Sequence, residues 1–243
     1  MTSGNHFLET LDPPDRDAVR ELLIVTDVRA GEVLIAQGEP VQEVHFPTTA
    51  YLANLTFTPN GRSLQTAMVG CEGLSGLAPF LADAPCAWEV ASVITGQVLV
   101  GPAMSLRRLM NDAPSLRARL LALTYFYQAQ ATQLAVCNAF HRIDARVARW
   151  LLTASDLSGQ DRFEITQDDI AIHLGVQRTS IVEAFGVLKA AGLFRHGRGR
   201  LTLTNRAALE ARACTCYAQL RRLGEDLGVL PERRSDEAFR CAG

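Results

Sequence analysis

The sequence has no long apolar run. No stretch of it approaches the roughly 18 to 20 apolar residues that are needed to cross a bilayer. The first residues, Met1 to Leu11, carry Glu9 and lack the basic-then-apolar order of a signal peptide. We therefore expect a protein that stays in the cytoplasm and does not enter the membrane.

A disulfide framework is also missing, because the cysteines are irregularly placed. The 243 residues include six cysteines, at positions 71, 86, 137, 214, 216 and 241, without the spacing of a disulfide framework, so we expect free thiols. Cys214 and Cys216 offer a metal or redox pair. Their Cys-x-Cys spacing is not that of a zinc knuckle, however, and no second pair stands near them in the sequence. We therefore interpret them as residues that pack on a C-terminal helix, and we predict no metal site.

Catalytic motifs are missing as well. The sequence has no Gly-x-Ser-x-Gly elbow, no His-Glu-x-x-His, no phosphate-binding P-loop and no dinucleotide fingerprint. Its five histidines, at positions 6, 45, 141, 173 and 196, are scattered, and we interpret His173 as a surface residue or one that faces phosphate. We therefore predict no catalytic residues and a protein that is not an enzyme.

The net charge is small but unevenly divided. The whole chain carries a net charge of −2. Residues 141–222 hold 13 arginines and lysines against eight acidic residues, a net charge of +5, and the remainder of the chain carries −7. The basic segment is an electrostatic candidate for binding polyanions, and the acidic remainder would repel them.

The first hundred or so residues alternate short apolar segments with turns. The segments that we predict as strands are Glu32 to Ala36, Val44 to Phe46, Tyr51 to Phe57, Ser63 to Val69, Trp88 to Ile94 and Gln97 to Val100. Turn signals such as Pro59-Asn60-Gly61 separate them at a spacing near ten residues. This spacing favours a β-roll or barrel.

The periodicity changes at Ser115. Seven residues then repeat at alternating spacings of four and three: Leu116, Leu120, Leu123, Tyr127, Gln130, Leu134 and Cys137. Such a stripe either lies on the β-domain of its own chain or forms a symmetric coiled coil with a second copy. We predict the second arrangement, a dimerisation helix from about Ser115 to Asn138, in which Gln130 sets the register.

The basic segment contains two helices joined by a glycine turn. Thr166 is a good N-cap for the first helix, Gly175 ends it, and a second helix follows from about Arg178 to Ala191. After Gly192, two short strands enclose an arginine-rich loop at 195–200. This order is typical of a winged helix-turn-helix.

A helix that enters the major groove must present polar side chains at its exposed N-terminal end. Arg178 is suited to a guanine edge, Glu183 to a cytosine amine, and the wing arginines to phosphates. The predicted DNA-binding residues are Thr166, Gln167, Gln177, Arg178, Thr179, Ser180, Glu183, Arg195, Arg198 and Arg200.

Four blocks of sequence carry a family resemblance. They are Gly31 to Glu39 (GEVLIAQGE), Gly70 to Leu77 (GCEGLSGL), Arg142 to Leu152 (RIDARVARWLL) and the helix start at Thr166 (TQDDIA). A tail that consists of Leu209-Glu210 and Ala213 to Tyr217 looks like a subgroup signature. In these blocks the chain resembles the Crp/Fnr family of bacterial transcription regulators over nearly all of its length.

The resemblance implies an α+β fold. It consists of an N-terminal double-stranded β-roll (a cyclic-nucleotide-binding-like jelly roll), a long dimerisation helix and a C-terminal winged helix-turn-helix. In this sequence we expect the roll at residues 1–110, the dimerisation helix and hinge at 111–140, the DNA-binding domain at 141–223 and a flexible tail at 224–243. The hinge is expected at Phe140-His141-Arg142.

The chain departs from the resemblance where relatives bind ligands. Pro85 to Glu89 occupies the place of the Arg-Ser pair that holds the phosphate of cAMP, and Glu89 would repel an anion, so we expect a subgroup that lacks this pair and does not bind cAMP. The N-terminal cysteines of iron–sulfur relatives are absent, and His45 is the only internal candidate for a haem ligand. We predict no cofactor. The possible effector pocket is Gly70, Glu72, Gly73 and Leu74.

The function that these features predict is a transcription regulator. We expect a homodimer on a palindromic, double-stranded DNA operator, with an unidentified small-molecule effector and, for an activator, RNA polymerase as a partner. The alternative is a ligand-gated protein-interaction module without DNA binding. Salt dependence distinguishes the two, because contacts with phosphate release counterions.

Overall fold

Two antiparallel sheets share one hydrophobic core in the N-terminal part of the chain. The computed structural model describes residues 4–232 of the whole chain. Their strands are β1 (Ile24–Val28), β2 (Val33–Ile35), β3 (Glu43–Pro47), β4 (Tyr51–Phe57), β5 (Ser63–Val69), β6 (Glu89–Ile94) and β7 (Gly96–Pro102). One sheet has the order β1-β7-β3 and the other the order β2-β6-β4-β5. The predicted α+β fold with a β-roll is confirmed, and β4 and β5 have the predicted bounds.

One strand of the roll was missed from the sequence. β1 pairs with β7 in antiparallel register, Ile24 opposite Val100 and Val28 opposite Gly96. Ile24 and Val25 are both exposed, and the strand buries only Val28. A strand without alternating burial lacks the period of two that sequence analysis depends on.

Helices flank the roll, and helices together with three short strands form the C-terminal part. The short helices around the roll are α1 (His6–Glu9), α2 (Pro13–Arg20), α3 (Leu77–Ala82) and α4 (Ala103–Leu109). The long helix is α5 (Pro114–Phe140), and the C-terminal part contains α6 (Ile143–Ser158), β8 (Arg162–Glu164), α7 (Gln167–Leu174), α8 (Arg178–Ala190), β9 (Phe194–Gly197), β10 (Arg200–Leu203), α9 (Arg206–Arg212) and α10 (Cys216–Asp226). No helix within residues 4–232 is both long enough and apolar enough to cross a membrane.

The predicted dimerisation seam on α5 is wrong. Six of its seven residues are buried within their own chain, and Tyr127 is half-buried. The Tyr127 hydroxyl donates to Glu72 Oε1 at 3.1 Å, and the Gln130 side chain accepts from the Met68 backbone N–H at 2.6 Å. The residues that were predicted to face a second copy, and that instead face the interior of their own chain, are Leu116, Leu120, Leu123, Tyr127, Gln130, Leu134 and Cys137. The stripe therefore packs on the roll and on the C-terminal part, which was the other interpretation of the same periodicity.

The predicted break at the hinge coincides with the end of α5. His141 follows the last helical residue with an extended backbone, and α6 begins at Ile143 after Arg142. The C-terminal part does not hang freely from this break, because the Trp150 indole N–H donates to Gln65 Oε1 at 3.0 Å and its ring meets Tyr51 edge-on. α6 is thereby held against the roll.

The predicted flexible tail begins too early. α10 continues to Asp226, and Val229 and Leu230 after it are buried. The Leu230 backbone N–H donates to the Gly224 carbonyl at 2.9 Å. Residues 224–232 are therefore part of the fold, whereas residues 233–243 lie outside the described residues.

The thiol prediction is confirmed for Cys86, Cys137, Cys214 and Cys216, which are free and buried. For Cys71 the prediction of a free thiol is wrong, because its sulfur is in a disulfide.

Candidate nucleic-acid interface

The helix-turn-helix begins with a complete cap. Thr166 Oγ1 accepts from the Asp169 backbone N–H at 3.2 Å, while Asp169 Oδ2 accepts from the Thr166 backbone N–H at 2.8 Å. This reciprocal pair satisfies two N–H groups that the first turn of α7 would otherwise leave open. α7 ends at Gly175, whose φ of 63° is in the left-handed region that favours glycine. α8 then begins only three residues later.

The N-terminal end of α8 presents the predicted polar side chains to solvent. Gln177, Arg178, Thr179 and Glu183 are exposed and Ser180 is half-exposed, while Ile181, Ala184, Phe185 and Leu188 form the buried face. The residue types that can read base edges are therefore together on one exposed face. Thr166 and Gln167, at the start of α7, are also at least partly exposed, but the hydroxyl of Thr166 is used by the cap.

The wing is a β-hairpin with arginines at its tip. β9 and β10 pair with Phe194 opposite Leu203 and Gly197 opposite Arg200. The two turn residues, Arg198 and Gly199, have φ values of 52° and 73°, as a tight two-residue hairpin requires. Arg195 and Arg198 are exposed, and neither forms an ion pair with an acidic residue among the residues that the structure describes. They are free to meet phosphates.

Two predicted contact residues are held by carboxylates. Arg178 Nε lies 3.2 Å from Asp168 Oδ1, and an Arg200 guanidinium nitrogen lies 3.1 Å from Glu164 Oε1. All four side chains are exposed, so each pair contributes only about 0–1 kcal/mol. Such pairs orient an arginine and still allow it to exchange its partner for a base or a phosphate.

The positive charge of the C-terminal part is partly internal. Arg146, Arg149 and Arg221 are buried, and Arg206 lies close to Asp156 in the core of this part. Arg221 also pairs with Asp156, at 3.3 Å. The count of +5 therefore overstates the cations that face solvent, and the wing and the start of α8 carry much of what remains. Sequence reasoning missed this distribution because charge counts do not report burial.

His173 is not a surface or phosphate-facing residue, contrary to prediction. Its ring is buried and stacks on Trp150 with the ring centroids 5.7 Å apart. Burial lowers the pKa of His173 to about 4, so the ring is neutral near pH 7. His196, on β9, packs edge-on against Phe185 at 5.2 Å and so ties the wing to α8. No local sequence pattern indicates that contact.

The turn between α7 and α8 packs against the roll. Leu64, at the start of β5, lies so close to Gly175 that a Cβ there would be 2.7 Å from it. A cleft next to this contact is lined by Phe57, Arg62, Gln177 and Ser180, among others. The N-terminal end of α8 therefore borders the β4–β5 hairpin, an arrangement that only long-range packing creates.

Three of the four predicted effector-pocket residues are tightly packed. A Cβ on Gly70 would overlap Leu157, and one on Gly73 would overlap the Tyr127 hydroxyl. Glu72 is buried, and its carboxylate accepts from the Gly70 backbone N–H at 2.8 Å. Gly70, Glu72 and Gly73 therefore serve tight packing and not ligand contact, whereas Leu74 lines a cavity.

That cavity lies between the roll and α5 and has a volume of about 460 Å³. Among the described residues, its walls are apolar or neutral-polar and contain no charged side chain: Asn54, Thr56, Thr66, Ala67, Val69, Leu74, Gly76, Leu77, Ala78, Trp88, Thr124, Tyr127, Gln128 and Ala131. Two polar atoms of this lining, Asn54 Oδ1 and Trp88 Nε1, are buried without a hydrogen-bond partner in the part of the chain that the structure describes. Unsatisfied buried polar atoms are costly, so they indicate where a ligand can bind.

His45, the only internal haem candidate, is in the roll and is buried. Its Nδ1 lies 3.0 Å from Ser75 Oγ, and burial lowers its pKa to about 4. The ring is therefore hydrogen-bonded within the core and is not among the residues that line the cavity.

Comparison with known proteins agrees with this architecture. The Crp-like helix-turn-helix domain family matches residues 145–212. A comparison with curated proteins gives no significant match.

Three solved structures have a similar fold. FixK2 from Bradyrhizobium japonicum is 18% identical, with a TM-score of 0.66 over 79% of this chain and 98% of that one. A Crp-family transcriptional regulator from Thermus thermophilus is 19% identical, with a TM-score of 0.64 over 77% and 96%. The c-di-GMP-responsive global regulator CLP of Xanthomonas campestris is 14% identical, with a TM-score of 0.63 over 79% and 99%.

By their names, the Thermus thermophilus protein is a transcriptional regulator and CLP is a global regulator. Residues 145–212 therefore form a Crp-like helix-turn-helix domain, and the chain has the fold of the Crp/Fnr transcription regulators.

Proposed function

We propose that the chain is a DNA-binding transcription regulator that binds a palindromic operator as a homodimer. The observation that carries this proposal is the exposed polar end of α8 beside a wing whose Arg195 and Arg198 have no acidic partner within residues 4–232. Two such units related by a two-fold axis match two half-sites one helical turn apart. In a bacterial cell this function places the protein in the cytoplasm, where the operator's position decides whether the dimer contacts RNA polymerase or blocks it.

An outward stripe on α5 supports the dimer. Leu121 and Tyr125 are exposed by 61% and 55%, and Val136 and Phe140 follow them on the exposed side of the helix. Exposed apolar residues repeated along one helix face indicate a surface that is covered by a partner. The seam that the sequence suggested faces inward, and we propose that this outward stripe is the interface with a second copy.

The roll is proposed as the sensor of a small uncharged molecule. The residues that line the cavity beside α5 include no cation to hold a phosphate, so cyclic AMP lacks the partner that its anionic group needs. The unpaired Trp88 N–H and Asn54 carbonyl oxygen favour a ligand with both a hydrogen-bond acceptor and a donor. Saturating cyclic AMP is expected to leave the melting temperature unchanged, and a clear increase would contradict this assignment.

The DNA-binding proposal is tested by selection and salt titration. Duplexes bound by the full chain are selected from a random pool, and the enriched sequence is expected to be an inverted repeat. Its affinity should fall roughly 10³-fold or more between 50 and 200 mM salt, because several phosphate contacts release counterions. An absence of enrichment, or binding that does not respond to salt, would favour a protein-interaction module.

A further inference from the structure

Three thiols and one imidazole meet where the end of α5 approaches the start of α10. The Sγ atoms of Cys137, Cys214 and Cys216 and a ring nitrogen of His141 all lie within 4.8 Å of one another. Cys137 Sγ is 3.5 Å from Cys214 Sγ, and Cys216 Sγ is 3.3 Å from His141 Nδ1. Cys214 and Cys216, which lack a second pair in the sequence, therefore have one in space.

The backbone places these four residues. Cys137 and His141 are one helical turn apart, and the His141 backbone N–H donates to the Cys137 carbonyl at 3.1 Å. On the other side, the Cys214 backbone N–H donates to the Ala145 carbonyl at 3.4 Å. The Cys-x-Cys segment is thereby held against the helix break at His141 and Arg142.

Two of the six separations among these four atoms suit ligands of a single tetrahedral ion. Zinc–sulfur bonds of about 2.3 Å and zinc–nitrogen bonds of about 2.0–2.1 Å give ligand separations of about 3.5–3.8 Å in a tetrahedron. The distances of 3.5 and 3.3 Å are close to that range. An iron–sulfur cluster would need its ligands further apart, because they bind different iron atoms.

The surroundings complete such a site. The Gln133 side-chain N–H donates to Cys216 Sγ at 3.1 Å. In metal sites, hydrogen bonds of this kind from neighbouring residues orient the ligand atoms. Arg149 is buried and has no carboxylate partner among residues 4–232, and it lies close enough to Cys137 and Cys214 to interact with them electrostatically. Three thiolates and one Zn²⁺ carry a net charge of −1, which would offset this buried cation.

We propose that Cys137, His141, Cys214 and Cys216 bind one Zn²⁺ as a closed structural site. Three soft sulfur donors and one imidazole are a donor set that zinc takes in structural sites, and four protein ligands leave no position open for chemistry. The three cysteines are buried, so the ion is shielded from solvent.

The site would fasten the two sides of the hinge to each other. Cys137 belongs to α5, whereas Cys214 and Cys216 lie beyond the winged helix, so an ion bound by both fixes the angle at His141 and Arg142. This consequence rests on the proposed function: in a DNA-binding dimer, that angle sets the distance between the two recognition helices.

Metal content of the full chain tests the site directly. The protein is produced in zinc-supplemented medium, purified without chelators and analysed by elemental mass spectrometry, and we expect about one zinc per chain. Cys214→Ser with Cys216→Ser should reduce this to less than a tenth, whereas Cys86→Ser, which changes a buried thiol outside the cluster, should leave it unchanged. His141→Ala provides a second test that leaves all the cysteines in place, with zinc affinity expected to fall at least tenfold.

Cobalt provides a test that needs no variant. Co²⁺ added to the chelator-treated, reduced chain should give the intense visible absorption of a tetrahedral thiolate site, and Zn²⁺ should bleach it. A chain that binds neither metal overturns the proposal. This holds if its thiols are free, and it holds equally if peptide mapping without reductant finds a disulfide between Cys137 and Cys214. These outcomes do not depend on DNA, so a metal-free chain that binds its operator refutes the zinc site alone, and a zinc-bound chain that ignores DNA refutes the regulator alone.

Discussion

Arg178 and Arg195 have different positions in the candidate interface and therefore different expected roles. Arg178 is at the first turn of α8, oriented by Asp168, where a guanidinium can address the edge of a base. Arg195 is exposed on β9 of the wing, where phosphates are the available partners.

Arg178→Ala is therefore expected to weaken operator binding by about 1–3 kcal/mol and to relax the preference at one base-pair position. Arg195→Ala should weaken binding to all DNA sequences alike. It should also make the slope of log affinity against log salt concentration shallower by about one. Arg222→Ala, at an exposed site on α10, is the matched control. Quantitative gel shifts on the operator and on singly substituted operators measure the affinity of all three variants. If Arg178→Ala and Arg195→Ala relaxed the base-pair preference equally, the two assigned roles would be contradicted.

Glu72 is a buried carboxyl without an ion-pair partner among the described residues. Burial raises the pKa of Glu72 to about 7, although the Gly70 N–H and the Tyr127 hydroxyl donate to it. Between about pH 4.5 and 7 the folded chain therefore binds a proton that the unfolded chain has released. The free energy of unfolding falls as the pH rises through this interval, because the folded state must lose that proton.

Glu72→Gln removes this titration while it keeps the shape of the side chain. Relative to the variant, the free energy of unfolding of the wild-type chain should fall by on the order of 3 kcal/mol between about pH 4.5 and 8. The difference between the two proteins is the quantity to measure, by urea unfolding at several pH values. Burial lowers the pKa of His45 and of His173 to about 4, so these residues make the free energy of unfolding rise with pH. Both proteins contain the two histidines, so this contribution is absent from the difference between them. A difference that stays constant with pH would contradict the assignment.

At the scale of elements, α5 has two faces with separate partners. Its inward face is buried on the roll and on the C-terminal part, and its outward face exposes Leu121 and Tyr125. Both faces contain residues spaced by three and four, because any helix that is covered on two sides repeats the period on each.

Leu121→Glu with Tyr125→Glu should convert the proposed dimer to a monomer and remove tight operator binding, since each chain would bury two charges at the proposed interface. The monomer should remain folded, because neither residue packs in the core of its own chain. Met104→Glu alters an exposed apolar residue on α4 and serves as the control. Sedimentation velocity reports the oligomeric state, and a dimer that survives both charges would exclude this face.

At the scale of the molecule, the C-terminal part is docked on the roll through buried polar contacts. Trp150 donates to Gln65, which in turn donates to the Tyr51 hydroxyl at 2.7 Å. The Cys71 backbone N–H donates to the Leu157 carbonyl at 3.2 Å. Since the turn of the helix-turn-helix also touches β5, the roll and the helix-turn-helix domain position one another.

Gly70→Ala should disrupt this docking, because the added Cβ would overlap Leu157 on α6. We expect the single cooperative unfolding transition to separate into two and the chain near His141 to become sensitive to protease. Gly186→Ala, on an exposed face of α8 with open space around it, should be neutral or stabilising by up to about 1 kcal/mol. Calorimetry and limited proteolysis of both variants check this, and an unchanged transition in Gly70→Ala would refute it.

Sequence and structure agree wherever the signal is local. The cap at Thr166, the turn at Gly175, the exposed polar start of α8 and the strands β4 and β5 follow from residue types and short periods. The family resemblance carried the order of the parts. The errors concern which neighbour a residue meets: His173 inside the core, and Gly70 against Leu157.

The sequence by itself determined six of the seven strands of the roll, the long helix, the winged helix-turn-helix and the chemistry available at the start of α8, because capping, turns and amphipathic periods act over a few residues. Only the tertiary structure decided which face of α5 is buried, which arginines reach solvent, and that Cys137 and His141 meet Cys214 and Cys216. Those contacts join residues far apart in the chain, and they are fixed by how whole helices pack, which no local pattern records.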